Sequence, residues 1–220
     1  LAQSQTTLEL LQASDLRVVL DASLGRPDAA VKAGLGALRR SGIAVADTEP
    51  ELRADYARAL DEVRSHMSER TLDELASAPS MASPEMRAVL RLGRHVALSA
   101  FGNTPLLGNV LTALAANLSF RHGPSEESAA AYALLGAVLA SSTERFAEAH
   151  AVVKLALSLH AKRGGVQEAC MLGFYFTTVS HYSMHWRELL PYLERAYVAG
   201  LESGDMMFLS YTCSHRSIAR

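Results

Sequence analysis

The sequence repeats itself at a spacing of 40 residues in its last third, and this repeat restricts what the chain can fold into. Phe146, Ala149, Val153 and Ala156 are answered by Trp186, Leu189, Leu193 and Ala196, and Gly164 is answered by Gly204. Tyr132 and Leu135 likewise precede Leu172 and Tyr175 by the same interval, so a helix and its partner keep one register. Self-similarity of this length is the mark of stacked helical hairpins, each too small to bury its apolar face alone. Small residues at spacings of three and four let two helix backbones approach closely. The sequence therefore predicts an all-α fold, a right-handed α-solenoid of hairpins. It is tetratricopeptide-like, with a period of about 40 where that repeat has about 34.

Composition agrees with helices. Apolar residues make up 49% of the chain and are mostly Ala and Leu, with only 6% aromatic. A net charge of -2 gives no field to attract nucleic acid or an anionic membrane. Cys170 and Cys213 form no CxxC, which offers neither a disulfide framework nor a zinc knuckle and points to a reducing, cytoplasmic setting. No apolar run approaches the ~18 residues that a membrane-spanning helix needs, and the N-terminus lacks a secretory pattern. The first and last residues sit inside helical patterns, so the expectation is a segment of a larger protein.

Along the chain, Thr6 to Leu20 reads as one or two short helices, because its apolar stripe lapses at Ala13-Ser14-Asp15. Gly25 to Asp28 is a turn before a helix over Ala30 to Arg40, stopped by Ser41-Gly42. After the linker Ile43 to Asp47, Thr48 and Glu51 are spaced as a capping box that starts a long helix ending near Ala78. Its charged run, Glu49 to Arg70, reads as a solvated face with pairs at three and four.

Ser83-Pro84 and Thr104-Pro105 open two further helices, making a hairpin over Pro84 to His122, and Gly123-Pro124-Ser125 turns the chain. Glu126 to Leu139 pairs with Glu144 to Arg163, with Ser141 and Glu144 spaced as a second capping box. Val166 to Tyr182 pairs with Trp186 to Ser203, and Asp205 caps the start of a sixth hairpin. The segments are 1–47, a first hairpin; 48–122, a long helix plus hairpin; and 123–220, two tetratricopeptide-like hairpins and the start of a third.

Candidate chemistry is sparse. His181 and His185 stand four apart, a spacing that can share a metal on one helix face, yet zinc takes three or four protein ligands and Ser183 places a turn between them. The alternative is a capping or half-buried histidine beside Trp186. His66, His95, His122, His150 and His160 read as polar helix-face positions. No Gly-x-Ser-x-Gly elbow and no GxxxxGK[ST] loop occurs. No catalytic, cofactor-binding or metal residue is assigned. Aromatic residues gather late in the chain, and Tyr175, Trp186, Tyr192 and Tyr197 are the candidates for an interaction face.

Several phrases in order resemble one known region. They are Gly34 to Ile43, Ala78 to Met81, Gly123 to Gly136 with its run Ala129 to Gly136, Leu155 to Leu159, His185-Trp186, and Ala196 to Asp205. Together they resemble the helical-repeat region following the AAA-type (STAND) ATPase domain of multidomain signalling proteins. Those proteins also carry serine/threonine kinase-like, GAF and sensor histidine kinase domains. The resemblance implies a non-catalytic linker and sensor arm that holds a nucleotide switch according to what binds it. Its partners would be neighbouring domains of the same chain, another protein, or a small molecule, and it carries no active-site role onto any residue here. A small-molecule sensor domain of a transcriptional or signalling regulator is the alternative, and a metal-dependent enzyme built on His181 and His185 is a remote one.

Overall fold

The structure is a computed structural model. It describes residues 6–143, 145–163, 168–174, 178–182, 185–204 and 206–219, with the backbone alone at 174, 181, 186, 207 and 219. Every regular element among the described residues is helical: α1 (Thr7–Ser23), α2 (Pro27–Arg40), α3 (Glu49–Glu69), α4 (Leu72–Ser77), α5 (Pro84–Ala100), α6 (Pro105–His122), α7 (Ser128–Thr143), α8 (Phe146–Arg163), α9 (Glu168–Phe174), α10 (Trp186–Ser203) and α11 (Met206–Ala219). A 3-10 turn, Ser180–Tyr182, stands before α10. The chain divides into two units, 1–70 with 79–125, and 71–78 with 126–220.

In the first unit α1 is one continuous helix. Thr6 and Glu9 form a capping box, in which the Thr6 hydroxyl accepts from Glu9 N at 3.2 Å and Glu9 Oε2 accepts from Thr6 N at 2.8 Å. These bonds hold the Glu9 carboxyl below its ordinary range. The apolar stripe lapses at Asp15 without ending the helix, because Asp15 has a polar partner on α5: His95 Nδ1 lies 2.6 Å from its Oδ1.

Helices α1 and α2 form a hairpin that packs on α5, and α5 forms a hairpin with α6. The core between them contains Leu11, Val18, Ala30, Leu38, Leu92, Val96 and Ala97, each at most 1% exposed. Gly34 lies at the closest approach, where an added Cβ would overlap Val96 and stand 3.1 Å from Val18.

The long helix expected from Thr48 to Ala78 is two helices. Arg70 is extended (φ -136°, ψ 144°), and Thr71 with Glu74 forms a capping box that restarts the chain as α4. The apolar spacing of three and four also lapses here, with five residues from Met67 to Leu72. Thr48 does not cap α3 as expected either. Its hydroxyl lies 2.6 Å from Glu51 Oε2 instead of accepting from the backbone. Ser83 caps α5 by accepting from Met86 N at 3.2 Å, whereas Thr104 makes no side-chain cap on α6. The entry and exit strands of the α5–α6 hairpin meet where Met81 N donates to Pro124 O at 3.0 Å.

In the second unit α7 pairs with α8, and α9 packs on α7 and α10. Helix α11 packs on α10 and α9, while α4 packs on α8. Residues 128–140 of α7 are all buried, in keeping with a helix that is apolar on every side. Gly136 brings α7 against α8, since a Cβ there would overlap Val153 and stand 3.1 Å from Ala149 O. Lys162 Nζ meets Asp73 (3.2 Å) and Ser77 (2.9 Å), and Arg163 donates to Ala78 O at 2.5 Å, so the basic end of α8 holds α4.

Ser141 and Glu144 do not form the expected box. Ser141 lies inside α7, with its hydroxyl donating to Ala137 O at 2.8 Å, and Glu144 lies outside the described residues. Helices α8 and α10 begin 40 residues apart and end 40 residues apart. Ala149, Val153, Ala156, Leu189, Leu193 and Ala196 are each 0% exposed. Gly164, matched in the repeat by Gly204, and Asp205, expected as a cap, lie outside the described residues.

Candidate functional site

The aromatic candidates divide on inspection. Tyr175 lies outside the described residues, and Trp186 opens α10 with only its backbone described. Tyr192 is exposed on α10. Tyr197 is half-buried: the Arg216 guanidinium of α11 lies 4.2 Å from its ring centroid. Arg216 also grips Glu194 through Nη2 at 2.6 Å and Nε at 3.1 Å. Tyr197 is thus part of a cation–π and fork-shaped ion-pair tie between α10 and α11.

Around this tie the solvent sides of both helices carry several large apolar residues among polar ones. Val198 and Leu201 on α10 and Met206, Tyr211 and Ile218 on α11 are all exposed, and the Tyr211 ring lies 4.8 Å from that of His215 one turn on. Exposed large apolar side chains with aromatic members are residues of the kind that protein partners bind. A second such stripe, Leu16, Val19, Leu20 and Leu24, runs along the outside of α1 and the turn after it.

His181 lies in the 3-10 turn, whereas His185 is the N-cap of α10, its Nδ1 accepting from Arg187 N at 3.2 Å. The two histidines thus belong to different elements. Among the described residues, no three His, Cys, Asp or Glu side chains converge as a metal site would require. The same turn packs on α8, with the Phe146 and Tyr182 rings 3.9 Å apart.

His95, read from sequence as a plain helix-face residue, is the centre of a polar bridge. Its Nδ1 meets Asp15 and its Nε2 lies 2.8 Å from Arg94 Nη2. Since arginine only donates, Nε2 accepts there and the proton is on Nδ1, donated to Asp15. Both ring nitrogens are engaged, and the bridge ties α1 to α5.

One concavity is a feature that the sequence did not mark. A cleft of about 470 Å³ in the first unit is walled by the extended linker Ala44 to Asp47, by α3 and by α6. It exists because α3 packs on α6, far along the chain, and leaves the linker standing opposite. Asn117 Nδ2 donates to Ala59 O at 2.9 Å, and Arg121 holds both Glu62 oxygens at 2.5 Å, so the two helices run parallel. Phe120 lies against His66, with ring centroids 5.1 Å apart.

Glu51, Asp55, Arg58 and Glu62 present one face of α3 to the cleft, with Ala59 and Leu114 as its apolar floor. The charged run was read as a solvated face. Its pairs at three and four are present, including Arg53 with Glu49, Arg58 with Asp55, and Arg64 with Asp61, but one side of it lines this cleft. Next to Asp55, the Tyr56 hydroxyl is buried with no hydrogen-bond partner, and burial pushes its pKa up to about 12 despite the opposing charge of Arg64.

No helix among the described residues is long and apolar enough to cross a membrane. No protein-family model matches the sequence, and neither the curated proteins nor the solved structures give a match.

Proposed function

We propose that the chain is a non-catalytic helical-repeat interaction and regulatory module, one that couples binding of a partner or ligand to neighbouring domains. The observation that carries this reading is the apolar and aromatic surface of α10 and α11, where Tyr192, Val198, Leu201, Met206, Tyr211 and Ile218 all face solvent. Burial of such side chains contributes about 25 cal/mol per Å², which makes the surface a reservoir of binding energy. A tetratricopeptide-like stack is supported by helix bounds repeated at 40 residues and by the buried small residues of α8 and α10.

The setting we propose is cytoplasmic, beside a signal-transduction ATPase or kinase domain. The ordered phrases quoted above support it, as do two cysteines that form no disulfide. A second reading, a small-molecule sensor, is favoured by the cleft at α3, whose volume lies in the range of ligand pockets.

The test is thermal stability of the chain with excised ATPase and kinase domains and with a panel of sugars and nucleotides. A ligand at 100 times its Kd stabilises by about 2.7 kcal/mol, which for a chain of this size is a shift of roughly 5–10 °C. A shift with a domain, abolished by Tyr192→Ala with Tyr211→Ala, supports the interaction reading. A shift with a small molecule alone moves the assignment to a sensor, and turnover of any panel member refutes the non-catalytic reading.

A further inference from the structure

Helix α1 is apolar on two opposite faces, and the fold covers only one of them. Leu11 and Val18 lie in the core at 0% exposure, whereas Leu16 (72%), Val19 (41%), Leu20 (54%) and Leu24 at the following turn (55%) face solvent. A surface helix ordinarily carries polar residues opposite its core stripe. Here the outer face is a second seam. Ala13, Leu16, Leu20 and Ser23, all exposed, follow at spacings of three, four and three, the pattern by which two helices pack side by side.

The polar groups beside the two leucines are already engaged within the chain. Ser23 Oγ donates to Val19 O at 2.8 Å, Arg17 Nε reaches Asp21 at 2.6 Å, and Asp15 is held by His95. Covering the centre of this face therefore removes mostly hydrocarbon from water and strands little that is polar.

From these observations we infer that the outer face of α1 pairs with the same face of a second copy, the two helices lying antiparallel across a two-fold axis. The seam reads the same from either end. One register sets Leu16 against the partner's Leu20 and Ala13 against the partner's Ser23, and each contact occurs twice, as an isologous interface requires. The leucine pairs fill the centre, while the small pairs let the helix ends close. An unrelated partner would not require such symmetry.

Charge selects the antiparallel sense. Glu9 stands in the first turn of α1 and Arg26 just past its C-terminal end, both exposed. Antiparallel copies bring these unlike ends together, whereas parallel copies would bring like ends together. The seam is about 15 Å long at about 1.5 Å per residue, which places the dimer in the weak, reversible class. It belongs to the first unit and the α10–α11 surface to the second, so either assignment can fail without the other.

The test is sedimentation velocity of the intact chain across micromolar concentrations. The expected result is a reversible shift from 23.7 kDa toward twice that mass. Leu16→Gln with Leu20→Gln should weaken association by about tenfold or more, because both central pairs lose their apolar contact. Glutamine is as good a helix former as leucine and both sites are exposed, so the circular dichroism and Tm of the dilute chain should not change. Arg26→Glu should weaken association by about threefold at low ionic strength and have no effect at high salt. Leu201→Gln with Ile218→Gln removes comparable apolar surface from α10 and α11 and should leave association unchanged.

A chain that stays monomeric throughout would overturn the proposal, as would association that survives the change at Leu16 and Leu20 or is lost with the change at Leu201 and Ile218. Arg26→Glu without effect at low ionic strength would overturn the antiparallel pairing.

Discussion

Replacing Gly123 with alanine tests the account of how the first unit closes on itself. Gly123 follows α6 with φ 87° and ψ 161°, a region that only glycine occupies comfortably, at a cost of about 1–3 kcal/mol for other residues. A Cβ here would also overlap the Pro79 carbonyl oxygen and stand 3.2 Å from its carbon and 3.3 Å from Met81 N. The obstructing atoms are backbone, and they are pinned by the Met81 N–H to Pro124 O bond, so relief means breaking a bond with a net value of about 0.5–1.5 kcal/mol. Alanine returns about 0.4–1 kcal/mol by restricting the unfolded chain. The net expectation is a loss of roughly 2–3 kcal/mol, a fall in Tm of about 4–12 °C for a chain of this length.

Gly25→Ala is the matched comparison. Its φ is 69°, but a Cβ there meets nothing within 4 Å, so only the backbone cost of about 1–2 kcal/mol applies. Melting followed by circular dichroism decides between the two effects. If Gly123→Ala melts with the wild type, or no lower than Gly25→Ala, the closure described here is wrong.

Gly36→Ala should raise stability by up to about 1 kcal/mol, read as a higher urea midpoint at unchanged slope, since Gly36 lies inside α2 with open space at its Cβ position. Gly136→Ala should lower it by about 1–3 kcal/mol by forcing α7 and α8 apart at Val153 and Ala149 O, which the same denaturation series measures. Tyr56→Phe should stabilise the chain by about 1 kcal/mol at neutral pH, because it removes a buried hydroxyl that has no partner. Because burial raises the folded-state Tyr56 pKa from 10.0 to about 12, its contribution is present below pH 10 and lost as pH rises through 12. The Tm advantage of Tyr56→Phe over wild type should therefore widen across that window.

The helical content was legible in the sequence because its signals are local. Apolar spacing and Pro at the first helical position give α5 and α6 close to their observed bounds, and Ser83 is found capping α5. The same local logic fails where a side chain has a better use. Thr48 turns to the Glu51 carboxylate, and Ser141 bonds back into its own helix. The break at Arg70 was also open to local reading, since Thr71 and Glu74 have the capping-box spacing and the apolar stripe lapses between Met67 and Leu72.

Of the proposed aromatic face, Tyr192 is exposed, while Tyr197 lies under Arg216, a residue 19 positions further on that belongs to another helix. What the sequence by itself determined is where helices run and which of their faces are apolar, since both depend on residues within one or two turns. Only the tertiary structure decided that α3 lies parallel to α6, that His95 spans 80 residues to Asp15, and that Glu51 and Leu114 border one cleft. Those relations depend on which apolar faces choose each other, and periodicity is equally satisfied by any partner that buries the stripe.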